Sequence, residues 1–351
     1  MSGLGLIDIS RLRNIPEKHR AKHEFCFHLH DLMAGLLVEM DVTKTGRVSF
    51  SLENEDEAKL LEQSDHVLDF LAQTGRSEIE RRAVVNHVSM ALFADMLHFI
   101  YEALIALEKR KFTVAFTLMR KPFKEGLLLA AWMCADEEGF FDKLKANPRD
   151  SFDHGALSPK EKIGLLQKAI EKCRGMDFAK AERIHSLVYD RKNQLGLAPL
   201  FDKATHLVTR NENIATENYN INFIFKSPFD NDIYESHYSD LAMLLLFLHL
   251  IQIDLYSRMS FAKEKYLHWL LFTSIGAYES LFSVGRPRMV SLVNSSFKDF
   301  LVCQHCEAPI RLRKSDAPRF FVNEILECRD CGKAHRFPLS WLLSKLKVDF
   351  A

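Results

Sequence analysis

VVNHVSMALFADMLHFIYEALIAL, residues 84–107, decides how this chain folds. Its apolar residues Val85, Val88, Leu92, Phe93, Met96, Leu97, Ile100, Leu104 and Leu107 recur at helical spacing and occupy so much of the circumference that neighbours must cover most of it. Such a helix is central rather than peripheral. Asp95, His98 and Glu102 fall at i, i+3 and i+7 and share one stripe, which either faces water or lines a site. A second apolar run, FTVAFTLMRKPFKEGLLLAAWMC over residues 112–134, follows directly, so residues 78–134 form a spine for the remaining helices. Pro122 interrupts this run by removing a backbone donor and crowding the preceding turn, and a kink or a new helix start is expected there. Arg120 and Glu125 flank the proline within apolar sequence, so at least one is expected to be buried and paired with the other.

Working outward towards the N-terminus, Ser77 with Glu80 has the spacing of a capping box at the start of the spine. Residues 41–53 carry the turn Thr43-Lys44-Thr45-Gly46 and an alternating stretch from Val48 to Leu52, which reads as a short hairpin. Pro16 with Glu17 begins an earlier helix that places His19, His23, Cys26 and His30 on one face. These four span about 16 Å at 1.5 Å per residue, so one metal could be held by at most His19 with His23 or Cys26 with His30.

Towards the C-terminus, Ser158-Pro159 with Glu161 starts another helix. Residues 195–229 break the helical pattern. His206-Leu207-Val208-Thr209 and residues 221–225 read as extended pieces around an Asn-rich loop, a small hairpin insertion that either covers the bundle or serves as a contact surface. The most apolar run, residues 241–253, contains His249 and Gln252 and falls short of the roughly 20 residues needed to cross a membrane, so it reads as a buried helix. The cysteine pairs Cys303 with Cys306 and Cys328 with Cys331 add a C-terminal zinc-ribbon β module to an expected fold that is mainly α, a helical bundle with a small β-hairpin insertion. Expected units are residues 1–57, a helical body over 58–285, and a module over 286–351 that begins at Gly285-Arg286-Pro287.

The 351 residues, 47% of them hydrophobic, suffice for a sizeable core, and a formal net charge of zero gives the whole molecule no general attraction for nucleic acid. Residues 286–351 are different, with a local excess of five positive charges. No secretory signal is apparent, so the seven cysteines point to reduced thiols, metal ligation and a cytoplasmic protein. Cys26, Cys134 and Cys173 read as ordinary buried thiols. The other four form two C-x2-C pairs, Cys303 with Cys306 and Cys328 with Cys331, separated by 21 residues. Two such knuckles supply the tetrahedral sulfur cage that suits structural Zn2+, with iron as the chemical alternative and a filled shell that leaves no catalytic position. Residues 310–313, 319–322 and 333–337 read as the strands of this ribbon, and His305 and His335 as surface residues. No Gly-rich phosphate loop, G-x-S-x-G elbow or H-E-x-x-H helix is present.

The spine, with Arg120-Lys121-Pro122-Phe123-Lys124-Glu125 at its kink, and the segment from His206 to Phe225 resemble, over residues 60–285, bacterial helical proteins of the HEPN group associated with abortive infection and phage defence. That resemblance implies an Arg/His pair that cleaves RNA without metal, usually across a homodimer. Arg82-Ala83-Val84-Val85-Asn86-His87 fits the spacing, with Arg82 to hold the phosphate and His87 as general acid or base. The alternative is that both residues merely solvate the first turns of the spine. Two functional readings follow. One is a defence-type effector that binds RNA through the basic C-terminal module and cleaves it. The other is a non-catalytic sensor or adaptor that meets a protein partner through the ribbon and the Asn-rich segment.

Overall fold

In a computed structural model the described residues are 3–152, 155–176, 178–219, 221–222, 231–259 and 262–345. The chain is mainly helical, and its frame is four long helices: Glu17–Thr43, Ser77–Glu108, Asp232–Ser257 and Glu264–Phe282. The first packs along both the second and the third. From Leu241 to Ile253 every residue of the third is buried, because the run is apolar on all sides and only a surrounding ring of helices can cover it. Two helices, Ser77–Glu108 and Asp232–Ser257, are long and apolar enough to cross a membrane, but 83% of the apolar window of the second is buried inside the fold.

The spine is covered less completely than its apolar content suggests. Only 44% of the apolar window of Ser77–Glu108 is buried, with Val84, Val88 and Leu92 at the margin of the core. His98 and Glu102 face solvent and Asp95 pairs with Lys121 at 2.7 Å, so the polar stripe is a solvated one. The expected capping box does not form at Ser77: the helix begins on that residue, and Glu80 is drawn away to Lys145 at 2.8 Å. The box at Ser158 and Glu161 is present in full.

At Pro122 the second run passes through a π-helical turn, Lys121–Gly126, between the helices Phe112–Arg120 and Leu127–Ala135. The wider turn absorbs the missing donor of the proline. It also corrects the expectation for Arg120 and Glu125, which pair at 3.2 Å with both side chains reaching solvent. The charge that goes inside is Lys124, which meets Asp202 at 3.2 Å with each side chain only 6% exposed. Arg191 completes the site at 2.6 Å from the same carboxylate.

Among the described residues, the stretch from Val48 to Leu52 has no strand partner. An isolated hairpin of that size is marginal in water, and Phe50 instead stacks on Phe70 while Arg76 lies over both rings. His206–Thr209 likewise joins no ladder among the described residues. Its backbone is tied by Thr216 N–H to Thr209 O at 3.0 Å and Asn222 N–H to Leu207 O at 2.8 Å, while the second extended piece, from Phe223, lies outside the described residues.

The four-cysteine module is built on one antiparallel pair, Ile325–Glu327 with Ala334–Arg336. Residues 319–322, expected as a strand, belong to a helix, Ala317–Asn323, because Pro318 sits in its first turn where no donor is needed. That helix lies against Glu264–Phe282 at Gly276, where a Cβ would stand 2.4 Å from the Phe321 ring. The core therefore continues without a break from the bundle into the module, through Phe272, Phe297, Phe320 and Phe321 to Leu342.

Residues 3–7 are gripped from both sides. The backbone N–H groups of Leu4, Gly5, Leu6 and Ile7 all donate to the buried carboxylate of Glu24, the last three at 3.0, 2.8 and 3.1 Å. On the other side, Arg319 donates to Gly3 O at 3.1 Å and Asn323 to Leu4 O at 2.8 Å.

The buried polar groups set the response of the fold to mutation and to acid. Asp202→Ala leaves Lys124 uncompensated inside and should cost about 3 kcal/mol or more, whereas Glu125→Ala should stay within about 1 kcal/mol; urea denaturation of the two variants measures the contrast. His249 is fully buried and His28 half-buried, and among the described residues neither ring nitrogen of His249 has a hydrogen-bond partner. Burial pushes the pKa of His28 down to about 4 and that of His249 to about 3. Their folded pKa values lie below the unfolded value, so stability is full above about pH 6.5 and falls as acid protonates the unfolded chain first. Between pH 7 and pH 5 His249 should contribute a loss on the order of 2 kcal/mol. His249→Leu should remove that share and flatten the acid limb; an unchanged limb would show that His249 does not set it.

Candidate metal centre

The two C-x2-C pairs fold into near-identical knuckles. In the first, Cys303 N–H donates to Ala308 O at 2.9 Å and Glu307 N–H to Cys303 O at 3.0 Å. In the second, Cys328 N–H donates to Lys333 O and Gly332 N–H to Cys328 O, both at 2.8 Å. Each needs a left-handed residue directly after its second cysteine: Gly332 at φ +69° accepts this freely, and Glu307 adopts it at φ +58°. The knuckles face each other because one ends on the strand pair and the other is closed by the bridge between Val302 and Pro309.

All four sulfur atoms lie within 4.8 Å of one another, with Cys303 and Cys331 at 3.5 Å and Cys306 and Cys328 at 3.6 Å. Four thiolates at about 2.3 Å from a central ion stand roughly 3.8 Å apart along a tetrahedral edge, so the cage fits a metal ion. Burial alone would raise the Cys303 pKa, but the N–H groups of Cys306 and His305, each 3.4 Å from its sulfur, prevail and hold it down at about 5. The knuckle is thus prepared to carry a thiolate.

His335, read from the sequence as a surface residue, brings Nε2 to 3.1 Å from the Cys303 sulfur. Its place opposite Leu326 in the strand pair aims the ring inward. An imidazole N–H donated to a ligating thiolate orients that ligand and spreads its charge. The sequence hints at this only through the position of His335, four residues past the second knuckle, and without the register of the pair that position is indistinguishable from a surface one.

The other residues singled out are placed differently. Arg82 donates to Glu137 Oε2 at 3.0 Å, a carboxylate also reached by Arg258, and His87 is exposed. Both stand on the Ser77–Glu108 helix, five residues apart, with the Arg82 guanidinium engaged by Glu137. His19, His23, Cys26 and His30 are all buried. His23 is spent on Glu108 at 3.2 Å and on Tyr238 at 2.8 Å, and His30 on Asp31 at 2.9 Å. Cys26, Cys134 and Cys173 are buried free thiols.

Purified protein should carry one metal ion per chain. Cys328→Ser should lower that content at least severalfold in elemental analysis and strip hydrogen-exchange protection from the strand pair, because ligand binding supplies much of the folding free energy of such modules. Full metal content in that variant would remove Cys328 from the ligand set.

No protein-family model, no curated protein and no solved structure matches this chain, so the mainly helical fold and the four-cysteine cluster rest on its own residues and geometry.

Proposed function

We propose that this is a nucleic-acid-binding protein in which the C-terminal module holds a structural zinc ion and presents a basic surface to RNA. Zinc is the ion that four thiolates in a closed tetrahedral shell suit best, and the closed shell gives it a structural task.

The observation that carries the reading is the extended segment after the first knuckle. Ile310 and Leu312 point into the core, so Arg311 and Arg313 both point out, and neither has an ion pair among the described residues. Leu312 is clipped by its N–H and C=O to the side chain of Asn294, at 2.9 and 2.8 Å, which fixes the register of the two arginines. Lys314 then donates to Ser283 O and to Gly285 O, the latter at 3.0 Å, which brings the exposed Arg286 into the same neighbourhood. A rigidly presented group of guanidinium ions suits phosphate, because each can donate two parallel hydrogen bonds. A surface of this kind binds with strong salt dependence and little sequence preference.

The HEPN resemblance would add metal-independent RNA cleavage through Arg82 and His87, together with a role in bacterial defence. In that chemistry Arg82 would hold the phosphate and His87 would act as general acid or base, usually across a homodimer as the resemblance implies. A second reading, the sensor or adaptor, is favoured by the Asn-rich insertion, where Leu207, Val208 and Tyr219 stand exposed among the described residues. Such residues suit a protein partner.

Fluorescence anisotropy with labelled single-stranded RNA across a salt series tests the main reading. Binding should weaken steeply with salt, and Arg311→Ala with Arg313→Ala should make the log–log slope shallower by about 0.7 for each phosphate that is no longer neutralised. Absence of binding at low salt would overturn it. Incubation of the same RNA with wild type and His87→Ala examines cleavage separately.

A further inference from the structure

The helices Leu127–Ala135 and Pro159–Lys172 pack along each other and end side by side. Near those ends sit two buried free thiols, Cys134 in the last turn of the first and Cys173 as the residue that closes the second. The two ends meet at these residues: the Cys134 sulfur lies 4.0 Å from Ala169 O, the same carbonyl that accepts the Cys173 N–H at 3.0 Å, and Lys172 donates to Ala135 O at 3.0 Å. Cys134 also donates to Asp254 Oδ2 at 3.2 Å, and Arg258 Nη2 stands 3.9 Å from the Cys134 sulfur while pairing with the same carboxylate. Arg258 is itself anchored by Cys134 O at 2.8 Å and Met133 O at 3.3 Å, so it cannot swing away. Asp254, Lys172 and Arg174 open onto a cleft of about 440 Å³, which puts the dithiol directly behind its wall.

We propose that Cys134 and Cys173 form a peroxide-oxidisable dithiol, with Asp254 as the base and Arg258 as the cation that steadies the Cys134 thiolate. Neither the metal centre nor the basic surface uses these residues. A carboxylate in hydrogen-bond contact with a thiol takes its proton more readily when its own pKa is raised, and burial raises that of Asp254. The steps balance with hydrogen peroxide as the oxidant. Asp254 accepts the proton of Cys134, and the thiolate sulfur attacks one peroxide oxygen. The S–O bond forms as the O–O bond breaks, and the departing hydroxide takes the proton back from Asp254 and leaves as water. The Cys173 sulfur then attacks the sulfenic sulfur, an S–S bond forms, and its proton leaves with the hydroxyl as a second water. Two thiols and one peroxide give one disulfide and two waters.

The disulfide would withdraw the hydrogen bond that Cys134 gives to Asp254. The carboxylate would then face the cleft with Arg258 as its remaining partner, so oxidation at the helix ends alters the charge and shape of the cleft wall.

Cys26 provides an internal control. It is equally buried, but no carboxylate or second thiol is hydrogen-bonded to it among the described residues. The metal-loaded full chain is treated with hydrogen peroxide, quenched, unfolded, alkylated, digested and read by mass spectrometry. Cys134 and Cys173 should disappear together, as one cross-linked peptide, about tenfold or more faster than Cys26. Asp254→Asn should slow the reaction severalfold, and Cys173→Ser should leave Cys134 as a singly oxidised species instead of a cross-link. Oxidation of all three thiols at one rate would overturn the proposal, as would a wild-type protein in which Cys134 and Cys173 remain alkylatable while the knuckle cysteines oxidise.

Discussion

The carboxylate of Glu108, 4% exposed at the end of the spine helix, holds the frame in one arrangement. It accepts two hydrogen bonds from Arg11, at 2.6 and 3.0 Å, and one from His23 Nε2. The opposite ring nitrogen of His23 accepts from the Tyr238 hydroxyl at 2.8 Å. A neutral imidazole satisfies both roles, with Nε2 as donor and Nδ1 as acceptor, and burial lowers the pKa of His23 in keeping with that state. Three of the four long helices thus meet through one polar chain. Apolar contacts alone would tolerate a sliding of one helix past another, whereas a buried carboxylate with fixed donors tolerates little.

This polar chain is hidden in the sequence. Its members, Arg11, His23, Glu108 and Tyr238, are far apart along the polypeptide, and the spacing of His23 suggests only a metal-ligand face. The period of residues 84–107 and the runs at 112–134 and 241–253 are legible because apolar spacing and composition report burial directly. Lys124 and Arg120 show the limit of that signal. Both are cations on one run, a single helical turn apart, and which of them goes inside depends on the extra residue in the π turn at Pro122 and on Asp202 from a distant helix. The four-cysteine cluster is legible in full, since the C-x2-C spacing is a local property. Its surroundings are not, because the helix at Ala317–Asn323 takes its form from packing against Gly276 as much as from its own Phe-rich sequence.

The four-cysteine module and the bundle are bound to one another more closely than a hinge after Gly285 would suggest. Phe321 rests on the backbone of the Glu264–Phe282 helix at Gly276, and Phe272 meets both Phe297 and Phe321 edge-on. Lys314 and Asn294 add polar ties on either side of the turn. The exposed Arg311 and Arg313 are therefore held at a set orientation to the bundle.

Residues 3–7 lie between Glu24 and the pair Arg319 and Asn323, so their resting place is made of two pieces from opposite ends of the chain. During synthesis at about 5–20 residues per second, Glu24 emerges almost at once, but Arg319 arrives on the order of 15–60 s later. Through that interval the carbonyls of Gly3 and Leu4 await donors 316 and 319 residues further along the chain. Residues 3–7 thus complete their backbone pairing only when the Ala317–Asn323 helix is in place, and their order reports on that distant helix.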